Sequence, residues 1–145
     1  MEFAKAAGLF SAIKVRRLGK NESDPFQLQV KYRHGPLRNI MDVGYGVSQV
    51  LSLVFELIRG DRGRLFMVQQ PEVHLHPRAQ AELGSLFAAL VKSQSKRFMI
   101  ETHSDYVVDR VRMDVRDKRS VQPEDVARKK GSSDFAVGKN PLDFT

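Results

Sequence analysis

Polar and apolar positions alternate most cleanly in FQLQVKY. Phe26, Leu28, Val30 and Tyr32 fall on one face, Gln27, Gln29 and Lys31 on the other, the period of a half-buried strand. NESDP, Asn21 to Pro25, is a dense turn signal before it. Upstream, between Gly8 and Leu18, the pattern is mixed and predicts a strand with Phe10, Ile13 and Val15 inward. Arg33-His34-Gly35-Pro36 reads as a turn and Leu37 to Val43 as a hairpin partner. The period then lengthens. Val50, Leu51, Val54, Leu57 and Ile58 recur at helical spacing, with Gly44 and Gly46 ahead of them, Ser48 as the cap, and Gly60 and Gly63 as the stop. RLFMVQ, Arg64 to Gln69, is a short apolar run of the kind found in strands buried on both faces. PEVHLHP follows as an irregular loop, and Arg78 to Val91 predicts a helix with Ala79, Leu83, Leu86, Phe87 and Leu90 on one side. RFMIET, Arg97 to Thr102, is a second buried strand, and Asp105 to Arg112 a further helix with Val107, Val108 and Val111 inside.

Two apolar strands separated by one helix imply a parallel crossover. The expected fold class is therefore α/β: a parallel-sheet lobe with an antiparallel β-hairpin at the N-terminal end and helices packed on the sheet. After Arg112 the chain turns polar, with Pro123, Pro141 and the GSS of Gly131 to Ser133, and only a short helix at Pro123 to Lys130 is predicted. The expected division is a folded lobe over 1–112 and a polar, weakly ordered tail over 113–145.

Composition narrows the classes. The 145 residues suit one domain, or one incomplete domain, of about 100–200 residues, and 41% hydrophobic content supports a packed core. The absence of Cys excludes a disulfide scaffold, a thiolate zinc site and a Cys nucleophile. No apolar run reaches the roughly 18 residues of a membrane span, and the expected location is the cytoplasm. The net charge is +7, and 17 basic against 11 acidic side chains in residues 1–112 place the excess on the lobe rather than the tail. That excess suits phosphate groups, of a nucleotide or of DNA.

Candidate chemistry gathers at two strand ends, Gln69-Gln70-Pro71-Glu72 and Glu101-Thr102-His103-Ser104, which in a crossover pair open onto the same edge, where ligands of parallel sheets bind. His74 and His76, alternating with Val73 and Leu75, also read as an H-x-H metal pair beside Glu72 and His103, although spacing fixes no third strong ligand.

The order of a glycine turn and helix, then LFMVQQPEVHLHPRAQAEL, then RFMIETHSD, resembles the C-terminal half of an ABC-type ATPase head, nearest to bacterial AAA-family ATPases of the RecF, SMC and OLD kind. The resemblance spans Phe26 to Arg112. It implies that Gly44, Tyr45, Gly46, Val47, Ser48 and Gln49 form the signature region, which contacts the γ-phosphate held by the opposite subunit; backbone N–H groups at a helix start suit that anion. It implies that Leu65 to Val68 form the Walker B strand, that Leu75-His76-Pro77 lie at the dimer interface, and that His103 is the switch histidine.

One departure is large. Where the family ends Walker B in two acids, one holding Mg²⁺ through water and one polarising the attacking water, this chain has Gln69 and Gln70. An amide cannot take up a proton at neutral pH and offers Mg²⁺ only a neutral oxygen. Glu72 is then either a substitute carboxylate or a loop residue that bonds backbone N–H groups. Nothing in the 145 residues matches G-x-x-x-x-G-K-[ST], the loop that cradles the β- and γ-phosphates. The implied protein uses ATP and Mg²⁺ when completed by an N-terminal P-loop-containing half or partner chain. It works as a homodimer with DNA as a further partner, in DNA repair or phage defence, and this chain alone is expected to bind no cofactor tightly and to be inactive. Two rival readings are a non-catalytic module that self-assembles or binds a partner, and a DNA-binding or metal-dependent nuclease component.

Overall fold

A computed structural model describes residues 2–32, 34–117, 126–128 and 134–137. Two sheets form. The first is antiparallel, of β1 (Ala12–Arg17), β2 (Phe26–Lys31) and β3 (Leu37–Asn39), in that order, with Val15 opposite Leu28 and Val30 opposite Arg38. A short helix α1 (Glu2–Ala6), which the sequence pattern does not predict, precedes it. The second sheet runs β4 (Leu65–Gln69), β5 (Arg97–Glu101), β7 (Asp134–Val137), β6 (Val126–Arg128), with β4 and β5 parallel and β7 antiparallel to both its neighbours. Helices α2 (Tyr45–Arg59), α3 (Pro77–Gln94) and α4 (Asp105–Arg116) complete the described part. The α/β class with a front antiparallel hairpin and a parallel crossover is what the hydrophobic pattern predicts.

The inner face of the second sheet presents Phe66, Phe98 and Ile100 to the helices. Phe98 stacks on Phe66 at 5.6 Å and meets Phe87 of α3 at 5.0 Å, and Phe98, Ile100 and Phe87 have no exposed surface. α4 crosses α3 so closely at Gly84 that a Cβ there would press on the carbonyl of Val107. Lys96, fully buried at the head of β5, donates from Nζ to the Leu57 carbonyl and, at 3.4 Å, to that of Ile58, so a side-chain amine completes the C-terminal end of α2. Burial holds its ammonium below the ordinary lysine pKa, with the Asp61 carboxylate opposing the shift.

Several expectations are corrected. The pattern reads the RLFMVQ strand as buried on both faces, yet β4 is the edge of its sheet and Met67 is 77% exposed, with Leu65 at 39% and Met99 of β5 at 38%. One face of the parallel pair is thus covered and the other is bare among the described residues. Val15 and Phe26, read as inward, are exposed because the distal end of the hairpin extends past the core that holds Val30 and Ile13, and Tyr32, read as inward, is exposed just past the other end of β2. The third strand stops at Asn39, whose side chain accepts from the Met41 amide and turns the chain into a 3-10 helix over Ile40–Asp42. Beyond Arg112, α4 continues to Arg116, and β6 and β7 join the sheet where no strand is predicted. In the helix expected at Pro123 to Lys130, residues 126–128 are strand, and the others lie outside the described residues, as does most of the expected tail. An apolar groove of about 590 Å³, lined by Phe3, Phe10, Ile13, Val54, Phe55 and Leu86 among others, separates α2 from α1 and α3.

Candidate functional site

Parallel register sets Gln69 beside Glu101 at the carboxyl ends of β4 and β5. Side chains alternate along both strands, so these two share the bare face with Met67 and Met99. The Gln69 amide Nε2 donates to Glu101 Oε2 at 3.0 Å, and the Gln70 backbone N donates to the Glu101 carbonyl at 2.8 Å. Gln70 takes φ 44° as the chain leaves the strand, a left-handed backbone that turns it out of the pleat.

Glu72 behaves differently. It is 6% exposed, and its Oε1 accepts from the His103 backbone N at 2.9 Å, tying the loop after β4 to the loop after β5. Its Oε2 is buried without a partner among the described residues. The second alternative for Glu72, a loop carboxylate that bonds backbone N–H, is the geometry found. His103 itself is exposed, with its ring open to solvent at the end of β5. Ser104 caps α4 by accepting from Val107 N at 3.2 Å, and Gln80 locks the two loops together by accepting from Ser104 Oγ at 2.6 Å and donating to the Leu75 carbonyl at 2.8 Å.

The glycine turn closes on the same region. A Cβ at Gly46 would collide with the carbonyl of His74, and the Tyr45 and His74 rings meet edge to face at 5.0 Å. Gly44, at φ 91°, stands at the N-cap of α2 with no side-chain cap; of the first N–H groups of this 15-residue helix, that of Val47 donates to the Gly44 carbonyl at 3.3 Å. Ser48 is not the cap: its Oγ donates to the Tyr45 carbonyl at 2.9 Å inside the first turn. Gln49 is exposed beside it.

The H-x-H pair dissolves. His74 sits at φ 66°, which breaks the extended alternation, and His76 instead caps α3 through Nδ1, 3.4 Å from Ala79 N. Among the described residues no three His, Asp or Glu side chains come together as metal ligands. Leu75 is buried, and His76 and Pro77 are exposed at the start of α3.

The structure therefore brings Gln69, Gln70, Glu72, His103 and the Leu75-His76-Pro77 loop to one rim, with Gly44 and Gly46 against it. Sequence reasoning places Glu101 at a strand end without giving it a role, and passes over Gln80. Glu101 had a signal, its place level with Gln69 when the two apolar strands are aligned in parallel; Gln80 had none. For the Mg²⁺ that accompanies ATP, the donor set fits through a carboxylate only: Glu101 is accessible, Glu72 is spent on His103, and Gln69 and Gln70 are amides.

A mixed sheet whose parallel β4–β5 pair opens onto these loops, with a glycine-started helix against them, makes this an α/β domain with its candidate chemistry at the carboxyl rim. The chain belongs to the AAA ATPase domain family, whose profile matches residues 3–108. Among solved structures it is similar to one from work on ATP-driven dimerisation and DNA-stimulated activation of SMC ATPases, with a TM-score of 0.56, 13% identity, and 98% of this chain and 88% of that one covered. It is also similar to the Smc head domain with an extended coiled coil bound to the C-terminal domain of ScpA, derived from Pyrococcus furiosus, at a TM-score of 0.44, 14% identity, and 81% and 36% coverage. Comparison with curated proteins finds no match. At such identities the first likeness speaks for the fold.

Proposed function

We propose that this chain is the signature, Walker B and switch lobe of an ABC-type ATPase head, and that it hydrolyses ATP only when a P-loop-bearing segment completes it. The bare face of the β4–β5 pair carries this reading. Parallel strands are normally covered on both faces, and here Leu65, Met67 and Met99 are exposed directly below the rim where Gln69, Glu101 and His103 end. An added strand along β4 and a helix over Met67 would bury that surface and present a phosphate-binding loop to the rim.

In the completed head each residue has a defined task. The N–H groups at the start of α2, next to Gly44 and Gly46, bind the γ-phosphate across a homodimer, with Ser48 and Gln49 flanking it. His103, exposed and held at its backbone by Glu72, donates to the same phosphate. The Leu75-His76-Pro77 loop faces the second head. Mg²⁺ supplies charge neutralisation of the phosphates and is held through the rim carboxylate. With amides at 69 and 70, water is oriented but not deprotonated by those side chains, so turnover is slow.

The head acts in DNA repair or phage defence, in the cytoplasm, as RecF-like and OLD-like ATPases do. Support for DNA comes from the first sheet, whose strands carry Lys14, Arg16, Arg17, Lys31 and Arg38 and no acidic residue. The test is phosphate release: the chain with Mg-ATP releases none, and addition of a P-loop-bearing partner segment restores it. Robust release by the chain alone overturns the proposal. The apolar groove favours one rival, a non-catalytic self-assembling module, and light scattering that shows a stable oligomer without nucleotide would support that rival instead.

A further inference from the structure

Two carboxylates end up at the rim, and they are not equivalent. Glu72 is buried, and its bonding oxygen is occupied by the His103 amide. Glu101 is half-buried on the uncovered face, in register with Gln69, and among the described residues one of its oxygens is engaged, by the Gln69 amide. Asp105 is a third acid nearby, in the first turn of α4, where the helix start already balances its charge.

A hard divalent cation selects charged oxygen, directly or through water, and an amide oxygen alone binds it weakly. Gln69 cannot supply that charge. Its NH₂ group does something else: by donating to Glu101 Oε2 at 3.0 Å it holds the carboxylate at the strand end and leaves Oε1 without a hydrogen-bond partner among the described residues. The carboxylate that β4 lacks is therefore delivered to the same point by its neighbour β5. Taking this together with the ATPase reading on which it rests, we propose that Glu101 is the magnesium-associated carboxylate of this site and Gln69 the residue that positions it. Glu72 is confined to holding the His103 loop.

The experiment uses the full 145-residue chain and Mn²⁺ alone, with the paramagnetic broadening of backbone amide signals as the readout. The expected result is selective broadening at Gln70, Glu101 and Thr102. Glu101→Gln should raise the Mn²⁺ concentration needed by at least about tenfold, a change of roughly 1.4 kcal/mol. Glu72→Gln should leave it unchanged. The exchanged pair Gln69→Glu with Glu101→Gln restores the amide–carboxylate contact with the charge on β4, and should recover the broadening; this variant also controls for misfolding of the single one. Broadening that survives Glu101→Gln, that vanishes with Glu72→Gln, or that spreads evenly over surface acids such as Glu22 and Asp109 overturns the assignment. So does an absence of selective broadening in the unaltered chain. Because no nucleotide is present, failure here leaves the ATPase reading standing. A completed head that binds no ATP would sink that reading while the metal result held.

Discussion

The Glu72–His103 bond is the most direct handle on the rim. Glu72→Ala removes the carboxylate acceptor of the part-buried His103 backbone N–H, a loss of about 1.5–3 kcal/mol for a bond to a charged group. Removal of the unpartnered Oε2 returns part of that, since its desolvation is no longer imposed. The net expectation is destabilisation by about 1–2 kcal/mol, seen as a fall in melting temperature of roughly 3–6 °C for a chain this size. Glu72→Gln keeps Oε1 in place as a neutral acceptor, whose bond is worth about 0.5–1.5 kcal/mol, so its loss of stability should be smaller than that of Glu72→Ala. Amide hydrogen exchange localises the effect. In Glu72→Ala the His103 amide should lose at least about tenfold more protection than the global loss of stability removes from the core amides of Phe98 and Ile100. Glu72→Gln should retain the protection. If Ala leaves His103 protected, or if Gln loses as much as Ala, the carboxylate does not hold this loop.

Other consequences follow from the same geometry. Gly46→Ala forces a Cβ into the His74 carbonyl and should cost about 1–3 kcal/mol by urea unfolding; an unchanged midpoint would mean that the α2 start and the loop do not pack as described. Lys96 supplies a pH test. Its pKa is lower folded than unfolded, so between the folded value and the ordinary 10.5 the unfolded chain holds a proton the folded chain has released, and stability relative to Lys96→Met should rise with pH in that window and be flat below it. A falling difference would refute the burial of this amine. Met67→Lys should change the stability of the isolated chain by less than about 0.5 kcal/mol, because the side chain is 77% exposed, while blocking complementation by a P-loop segment; full complementation by this variant would show that the segment does not cover the face.

The sequence was legible where period and burial agreed. Val50 and Leu57 in α2, Leu83 and Phe87 in α3, and Phe98 and Ile100 in β5 are predicted inward and are buried, because each lies on a face that another described element covers. The same logic misplaced Met67 and Phe26: an apolar run announces that a surface is suited to burial, not that a partner is present. β6 and β7 are missed since three- and four-residue strands in polar surroundings carry no period; β7 is held by pairing on β5, and β6 by pairing on β7. At the rim, motif strings pointed to Gln69, Glu72 and His103, but which carboxylate is spent on a backbone amide and which is free depends on the turn at Gln70. Its φ of 44° is invisible in composition.

The uncovered face ends in thioethers. Met67 at 77% exposure and Met99 at 38% stand on the surface that a completing segment would bury, and peroxide converts accessible methionine to its sulfoxide. If the proposed completing segment covers this face, oxidation at these two sites works as an internal gauge of assembly, fast while the face is open to water and slow once it is covered. On that proposal, oxidised Met67 would present a polar sulfoxide to the completing segment, and oxidative damage would fall on the capacity to assemble before it touched the fold.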